Sequence, residues 1–422
     1  MPPPRPVSTS FRPALPLLLA GLALALAACQ DPSGVGLTLI GDETSDPNAR
    51  LFPADSVYLA ERTEATGGFA NGTGTPVQTN VLLGEATDPL LGDVRATAYI
   101  DVRAANQTPD FDERTIDQVQ IRLDRGFVYG DTLGTLPVEV REITASPGWS
   151  PEGLPVDTTL ATGPLLTSAT VSMRDTLTTI SLPQDFVDAR GPTLRDSVNT
   201  LFEGFQIRVP EGAGPMPGSV LGVFAGPSSD SAVRLITAPY LNDDGETTRD
   251  TVDYPLVEVY SAIARGEAAP APGRVLLRDG APDALAFRFD VDALTNLPLA
   301  NAGLRIPFDR GVLETGDGFN RPLVGSVSVF AVRADSTRQF VVRREVPAAD
   351  AERPNEISVR DRELTNVYQA LLLGLADIVA VEVVPEASPL TLGTLPVIVE
   401  DDFAGELRRP RLSLIVVGGP PS

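Results

Sequence analysis

Val119-Gln120-Ile121-Arg122-Leu123 is the stretch that most clearly decides the fold. Apolar and polar residues alternate in it, so successive side chains would point to opposite faces of a strand, one towards a core and one towards solvent. Similar short runs, separated by Gly, Pro, Asp and Asn, occur at residues 56–61, 80–84, 95–102, 138–143, 178–182, 205–209, 220–224 and 233–237. Many short strands of this kind predict an all-β fold, built as a sandwich of the jelly-roll type.

The second half of the chain repeats the first in the same order. Asp124-Arg125-Gly126 recurs as Asp309-Arg310-Gly311, and Val209-Pro210-Glu211 recurs as Val384-Pro385-Glu386. We therefore predict two tandem β-sandwich domains, residues 51–241 and 256–418, joined by an acidic linker at 242–255. The other matches pair residues 56–59 with 257–260, 80–83 with 274–277, 98–102 with 287–291 and 138–140 with 327–329.

Each half also carries one short apolar stripe with helical spacing, followed by a glycine that would end the helix. We predict that each helix closes one end of its sandwich and that Leu201, Phe202, Leu371 and Leu372 are buried. A helix that binds a partner is the alternative. The stripes are Leu194, Val198, Leu201 and Phe202 before Gly204, and Leu364, Val367, Leu371 and Leu372 before Gly374.

The first 28 residues have the pattern of a lipoprotein signal peptide. Arg5 and Arg12 supply positive charge, an apolar run follows, and Leu26-Ala27-Ala28-Cys29 reads as a lipobox. The apolar run is shorter than the roughly 20 residues that span a bilayer. We predict cleavage before Cys29, lipid on its thiol and on the new amine, and a flexible tether over residues 29–50. An ordinary secretory signal with a coincidental cysteine is the alternative.

Composition limits the chemistry. The chain has 56 acidic residues, 33 basic residues that are all Arg, and no His, for a net charge of −23. Such a surface repels nucleic acid, so no nucleic-acid partner is expected. Without His, the usual general base near neutral pH is missing. Cys29 is the only cysteine and is expected to carry lipid, and no acidic pair stands out as a glycosidase pair. We expect no enzyme, no catalytic residue and no cofactor.

Two features could still bind a ligand. Trp149, the only tryptophan, lies in the Pro- and Gly-rich loop 146–151, where it could stack on a sugar ring or fold back over the sandwich edge. Acidic loops at 110–113, 243–246 and 314–318 could supply oxygen ligands to Ca²⁺, but their spacing is not that of an EF-hand. Bound Ca²⁺ therefore stays an alternative, and we assign no metal site.

The block Leu82-Leu83-Gly84, Asp88-Pro89, Gly92 and Ala96-Thr97-Ala98-Tyr99 resembles an uncharacterised family of Bacteroidota lipoproteins, domain of unknown function 4270. Residues 34–42 also resemble the start of that family. Each repeat is similar to DNRLRE-type β-sandwich modules, some of which bind polysaccharides; Phe289-Asp290-Val291 and Trp149 fit that outline, but no Trp follows Val332. The resemblance implies the fold and the lipid anchor, and it implies no activity.

Together, these patterns predict a non-catalytic protein of the cell envelope, anchored by lipid on Cys29 and presenting two β-sandwich domains for structural or binding work at the outer membrane. The periplasmic and surface faces of that membrane both stay open. A polysaccharide-binding lipoprotein is one alternative. An accessory subunit of an outer-membrane protein complex is the other, so the expected partners are the membrane, an envelope glycan or an outer-membrane protein.

Overall fold

A computed structural model describes residues 48–61, 80–102, 114–144, 158–195, 202–212, 218–225, 229–269, 271–279, 283–314, 316, 318–348, 355–386, 391–400 and 409–417. Within these residues the fold is all-β, with strands throughout and two short α-helices. The predicted all-β class is confirmed. Each strand predicted in the first half is present, because alternation of apolar and polar residues is a local signal that the core then uses directly.

The elements are numbered in chain order. In the first half they are β1 Ala49–Pro53, β2 Ser56–Glu61, β3 Asn80–Asp88, β4 Gly92–Val102, β5 Ile116–Asp131, β6 Thr135–Ile143, β7 Thr162–Ser172, β8 Leu177–Ser181, α1 Gln184–Arg195, β9 Phe205–Arg208, β10 Ser219–Phe224, β11 Ala232–Thr237, β12 Tyr240–Leu241, β13 Thr247–Thr248 and β14 Thr251–Arg265. In the second half they are β15 Arg274–Arg278, β16 Asp283–Arg288, β17 Leu299–Pro307, β18 Phe319–Asn320, β19 Ser326–Arg333, β20 Arg338–Glu345, β21 Glu356–Arg360, α2 Arg362–Leu372, β22 Ile378–Pro385, β23 Thr394–Ile398 and β24 Arg411–Val416.

Strand pairing in the second half follows the same order as in the first. The path β4-β9-β6-β7 recurs as β16-β22-β19-β20, a five-stranded sheet once β2 is added. The path β11-β5-β8 recurs as β24-β17-β21, and the pair β10-β3 recurs as β23-β15. The sequence repeat is thus also a repeat of strand pairing.

The two strands that open the chain lie in the second half rather than in the first. β2 pairs with β16, with Tyr58 opposite Ala286, and β1 pairs with β24, with Leu51 opposite Ser413. In the first half the equivalent places belong to β14, whose beginning pairs with β11 and whose end pairs with β4. The first half is therefore completed by β14, and the second half by β1 and β2.

This arrangement differs from the predicted domain limits. Residues 242–255 do not separate two sheets, since β13 and the start of β14 lie within them, and residues 256–265 run alongside β4. Ala49 and Arg50, expected in the tether, lie in β1. A sequence repeat indicates the order of the strands, but it does not indicate which copy supplies an edge strand. In the first half that strand is β14, which follows β11 closely in the chain and pairs with it antiparallel.

Three large apolar clusters hold the described residues together, and a small fourth one consists of Tyr99, Ile143 and Tyr260. One lies inside the first half and one inside the second. The third contains residues from both halves and therefore packs them against each other. Its buried members are Leu82, Ala86, Leu91, Val94, Ala96, Tyr129, Val220 and Ile263 from the first half, and Leu276 and Leu392 from the second.

The second predicted helix is present as α2. Asp361 caps its first turn by accepting the N–H of Glu363 at 3.0 Å. Leu372 is buried as expected, and Leu364 of the same stripe is buried too. Leu371 is only half-buried, on the flank of the core. Gly374 takes a φ of +66° and donates its N–H to the carbonyl of Leu371, so the predicted glycine cap is correct.

The first predicted helix is displaced. α1 spans Gln184–Arg195 and buries Phe186, Val187 and Leu194, so only Leu194 of the predicted stripe lies in it. Phe202 is buried, as expected, but it follows the helix and packs against Phe205 with ring centroids 4.9 Å apart. Val198 and Leu201 lie outside the described residues.

Candidate functional sites

Most of the sites predicted from sequence lie outside the described residues. This applies to Cys29, Trp149 and loop 110–113, and to Thr315 and Asp317 of the loop 314–318. The loop 243–246 is an exposed turn, held by the Asn242 side chain, which accepts the N–H groups of Asp244 and Glu246. In the part of the chain that the structure describes, no three acidic side chains gather as metal ligands.

A buried ion pair joins the two halves. The guanidinium of Arg321 donates to both carboxylate oxygens of Asp88, with Nε–Oδ2 at 2.8 Å and Nη2–Oδ1 at 2.9 Å. The two side chains are 1% and 0% exposed. Asp88 sits at the β3–β4 turn, where its Oδ1 also accepts the N–H of Leu90 at 2.8 Å and of Leu91 at 3.2 Å. The turn therefore orients the carboxylate towards the second half.

Aromatic side chains complete this network. Tyr129 donates its hydroxyl to Asp88 Oδ2 at 2.6 Å, and burial, reinforced by this bond to Asp88, raises the Tyr129 pKa above its ordinary value. Phe319 packs edge-on against Tyr129, with ring centroids 5.5 Å apart, and Arg321 lies 4.8 Å from the Phe319 ring centre. Because the charges are paired and hydrogen-bonded, this cluster acts as a structural link between the halves.

An open cavity of about 320 Å³ lies beside the ion pair, lined among others by Arg310, Glu314, Asn320 and Arg321. Arg321 is held by Asp88, and Arg310 donates to the carbonyl of Pro347 and lies over the ring of Phe308. Both arginines of this cavity are therefore used by the fold itself.

A row of side chains crosses the outer face of the first-half sheet, on β14, β4, β9, β6 and β7. In strand order it consists of Tyr260, Tyr99, Gln206, Arg141 and Leu165. The tyrosine rings stack 5.6 Å apart and are buried. Residues on the way into β7 cover them, since Thr158 donates its N–H to the Tyr260 hydroxyl at 2.9 Å and Leu160 donates to that of Tyr99 at 3.3 Å.

The equivalent row of the five-stranded sheet has different chemistry. It consists of Tyr58, Ala286, Glu382, Phe330 and Phe340. Phe340 is 55% exposed and Tyr58 37% exposed, and the rings of Phe330 and Phe340 meet edge-on at 5.8 Å. The connection from β19 to β20 is only the turn 334–337, whereas β6 and β7 are joined by residues 144–161. We name these five residues the aromatic row.

The sequence alone gave no signal for these sites. Asp88 and Arg321 lie 233 positions apart, and the block that contains Asp88 indicates no partner for its carboxylate. Phe340 and Tyr58 become neighbours on one face only when β2 is placed against β16, and the tandem prediction put β2 in the other half. The alternation within each strand does predict which side chains share a face of their own strand.

No family model, curated protein or solved structure matches this chain. The fold and the sites above therefore define its class as an all-β protein with a repeated strand pairing. Among the described helices, none has the length and apolar character needed to cross a membrane.

Proposed function

We propose that this chain is a non-catalytic, lipid-anchored protein of the cell envelope that presents its β-sandwich body for binding or structural work at the outer membrane. The observation that best supports this role is the position of β1. It begins at Ala49, soon after Cys29 in the chain, and pairs along its length with β24. The segment next to the proposed anchor is thus an integral strand of the body.

The proposed tether is short. Residues 30–48 would have an r.m.s. end-to-end distance of about 24 Å if they were fully flexible. A force applied at the lipid would be transmitted to β1 and then, through the four-stranded sheet, to β24 and β17. This suits a protein that holds a position or a partner near the membrane.

The buried charges also favour a non-catalytic role. Asp88, the buried acid of the ion pair, is held by Arg321, Tyr129 and the turn amides. A catalytic acid or base needs contact with a substrate, and this carboxylate is 0% exposed. Of the two alternatives, polysaccharide binding is favoured by a specific observation, the exposed rings of the aromatic row.

Lipidation tests the anchoring part of this proposal. Cys29→Ser should abolish labelling of the protein by a palmitate analogue and leave the signal peptide uncleaved by the lipoprotein peptidase. Ser33→Ala, a change in the same segment, should label normally. Normal labelling of Cys29→Ser would contradict the anchor.

A further inference from the structure

The two sheets carry the same row of positions with different side chains. Going from the first half to the second, Tyr99 becomes Ala286, Arg141 becomes Phe330 and Leu165 becomes Phe340. In the first half, two tyrosine hydroxyls accept backbone amides from a covering segment. The second half loses one of those hydroxyls and gains two phenylalanine rings. The row of the second half therefore exposes aromatic rings, whereas the row of the first half presents hydroxyls that accept backbone amides.

The exposed rings lie at the two ends of the row, with Ala286, Glu382 and Phe330 between them. Tyr58 is on β2 and Phe340 on β20, four strand spacings apart, or about 19 Å at about 4.8 Å each. Between them Glu382 accepts Arg338 Nε at 2.7 Å. Glu382 is itself only 5% exposed, so the polar groups open to a ligand are the exposed side chains of Arg288 and Arg343 beside the row. Exposed ring faces with such groups beside them match a sugar chain, whose pyranose rings alternate apolar C–H faces with hydroxyl edges.

The charges on this face are balanced, unlike those of the chain as a whole. The chain has a net charge of −23, yet on this face Arg288, Arg338 and Arg343 offset Glu382, Glu345 and Glu386. Arg288 lies 5.4 Å from the Tyr58 ring centre and Arg343 donates to the Ser326 hydroxyl. Among the described residues, neither forms an ion pair with a carboxylate. Two arginines flanking the row are thus available to an anionic group.

Within the binding role proposed above, we propose that the aromatic row is a glycan-binding surface that takes an acidic polysaccharide chain. Sugar rings stack on Phe340 and Tyr58, and carboxylates of the chain pair with Arg288 and Arg343. An extended peptide covers the matching row of the first half, where it donates amides to two tyrosine hydroxyls. The aromatic row lacks the hydroxyl of Tyr99, because Ala286 takes that position, so such a peptide is a poorer match here.

The test uses the purified full-length protein in detergent. Calorimetric titration with oligogalacturonate should show binding, and titration with a neutral cello-oligosaccharide of equal length should show binding that is at least tenfold weaker. Phe340→Ala and Arg288→Ala should each weaken oligogalacturonate binding about three- to tenfold. Leu165→Ala, at the matching position of the first half and 45% exposed, is the control and should bind as the parent does.

The proposal is overturned if oligogalacturonate does not bind, if the neutral chain binds equally well, or if Phe340→Ala leaves binding unchanged. A dimer that Phe340→Ala dissolves in sedimentation would assign the surface to a second copy and reject the glycan. Competition by a peptide of residues 157–163 at equal concentration would assign it to an extended peptide. Binding does not depend on the lipid, so failure here and failure of Cys29 labelling are separate results.

Discussion

At the scale of single residues, the buried pair Asp88–Arg321 has the largest consequence. It is the point where one charge from each half is removed from water, and its cost is offset only because both groups are fully engaged. The pair has no signature in the sequence, since it depends on how two segments far apart in the chain meet. The Asp88-Pro89 dipeptide is typical of a turn, and the chain does turn there between β3 and β4.

Removing one partner of this pair should therefore be costly. Arg321→Met leaves the Asp88 carboxylate buried without its cation, so the free energy of unfolding should fall by about 3–5 kcal/mol. Arg95→Met is the matched control, because Arg95 forms a bidentate pair with Glu85 on exposed side chains and should lose less than about 1 kcal/mol. Urea melts measure both, and equal losses in the two variants would contradict a buried link.

A second charged contact gives a dependence on pH. Asp253 on β14 accepts Arg234 Nε and Nη2 at 2.7 Å each and Arg122 Nη1 at 3.0 Å, so it ties β14 to β11 and β5. The hydrogen bonds from Arg234 lower the pKa of Asp253 below its ordinary value of 3.8. Its stabilisation is therefore present above the pKa of the unfolded chain, about 3.9, and is lost as pH falls through the lower folded-state pKa.

Asp253→Asn should reduce the free energy of unfolding at pH 7 by less than about 1 kcal/mol, because the pair is partly exposed to water. The gap between the variant and the parent should narrow as pH falls from 5 to below 4. Urea melts at several pH values measure this gap. A gap that stays constant or widens on acidification would show that Asp253 contributes through something other than its charge.

At the scale of elements, local sequence patterns predicted the positions of strands and of a helix cap well. They did not predict which strands pair with each other. Alternation located β2 correctly as Ser56–Glu61, yet it contained nothing about β16 as the neighbour. α2 was correctly placed because its apolar stripe is followed by the glycine cap Gly374, and the structure adds the Asp361 cap at its start. α1 was displaced because a stripe that includes Phe202 can also arise from a buried residue outside a helix.

The burial of α2 gives a prediction at this scale. Leu372 is 2% exposed, so Leu372→Ala should cost about 2–5 kcal/mol as a core truncation. Leu375, three residues further and 76% exposed, is the control, and Leu375→Ala should change stability by no more than about 0.5 kcal/mol. If α2 were an exposed docking surface and did not close the end of its sandwich, the two variants would be equally stable.

At the scale of the whole molecule, the chain closes on itself. β24 at its end pairs with β1 near its beginning, and Val416 donates its N–H to the carbonyl of Asn48 at 3.4 Å. The third apolar cluster and the Asp88–Arg321 pair then pack the halves together. The repeat alone predicts tandem domains that fold independently. Such domains would need neither the pairing of β24 with β1 nor the contacts that pack the halves together.

This closure predicts the behaviour of a circular permutant. Joining Val417 to Asn48 through a short Gly-Ser linker and opening the chain within residues 62–79 leaves each half with its strands contiguous. The permutant should unfold cooperatively, with a midpoint within a few degrees of the parent. The same permutant without residues 49–61 should lose cooperative unfolding, since β24 would lack its neighbour β1 and β16 would lack its neighbour β2. Thermal melts followed by circular dichroism compare the three proteins.

The most direct test of the central claim, that β1 and β2 belong to the second half, is a disulfide between β2 and its neighbour. In a Cys29→Ser background, Tyr58→Cys with Ala286→Cys places two thiols on opposed residues, about 4.5–5.5 Å apart at Cα and within disulfide range. Tyr58→Cys with Tyr99→Cys pairs residue 58 with the matching position of the first half. Peptide mass spectrometry after mild oxidation should find the 58–286 link and no 58–99 link. A 58–99 link without a 58–286 link would contradict the placement of β2 in the second half and would support two tandem domains instead.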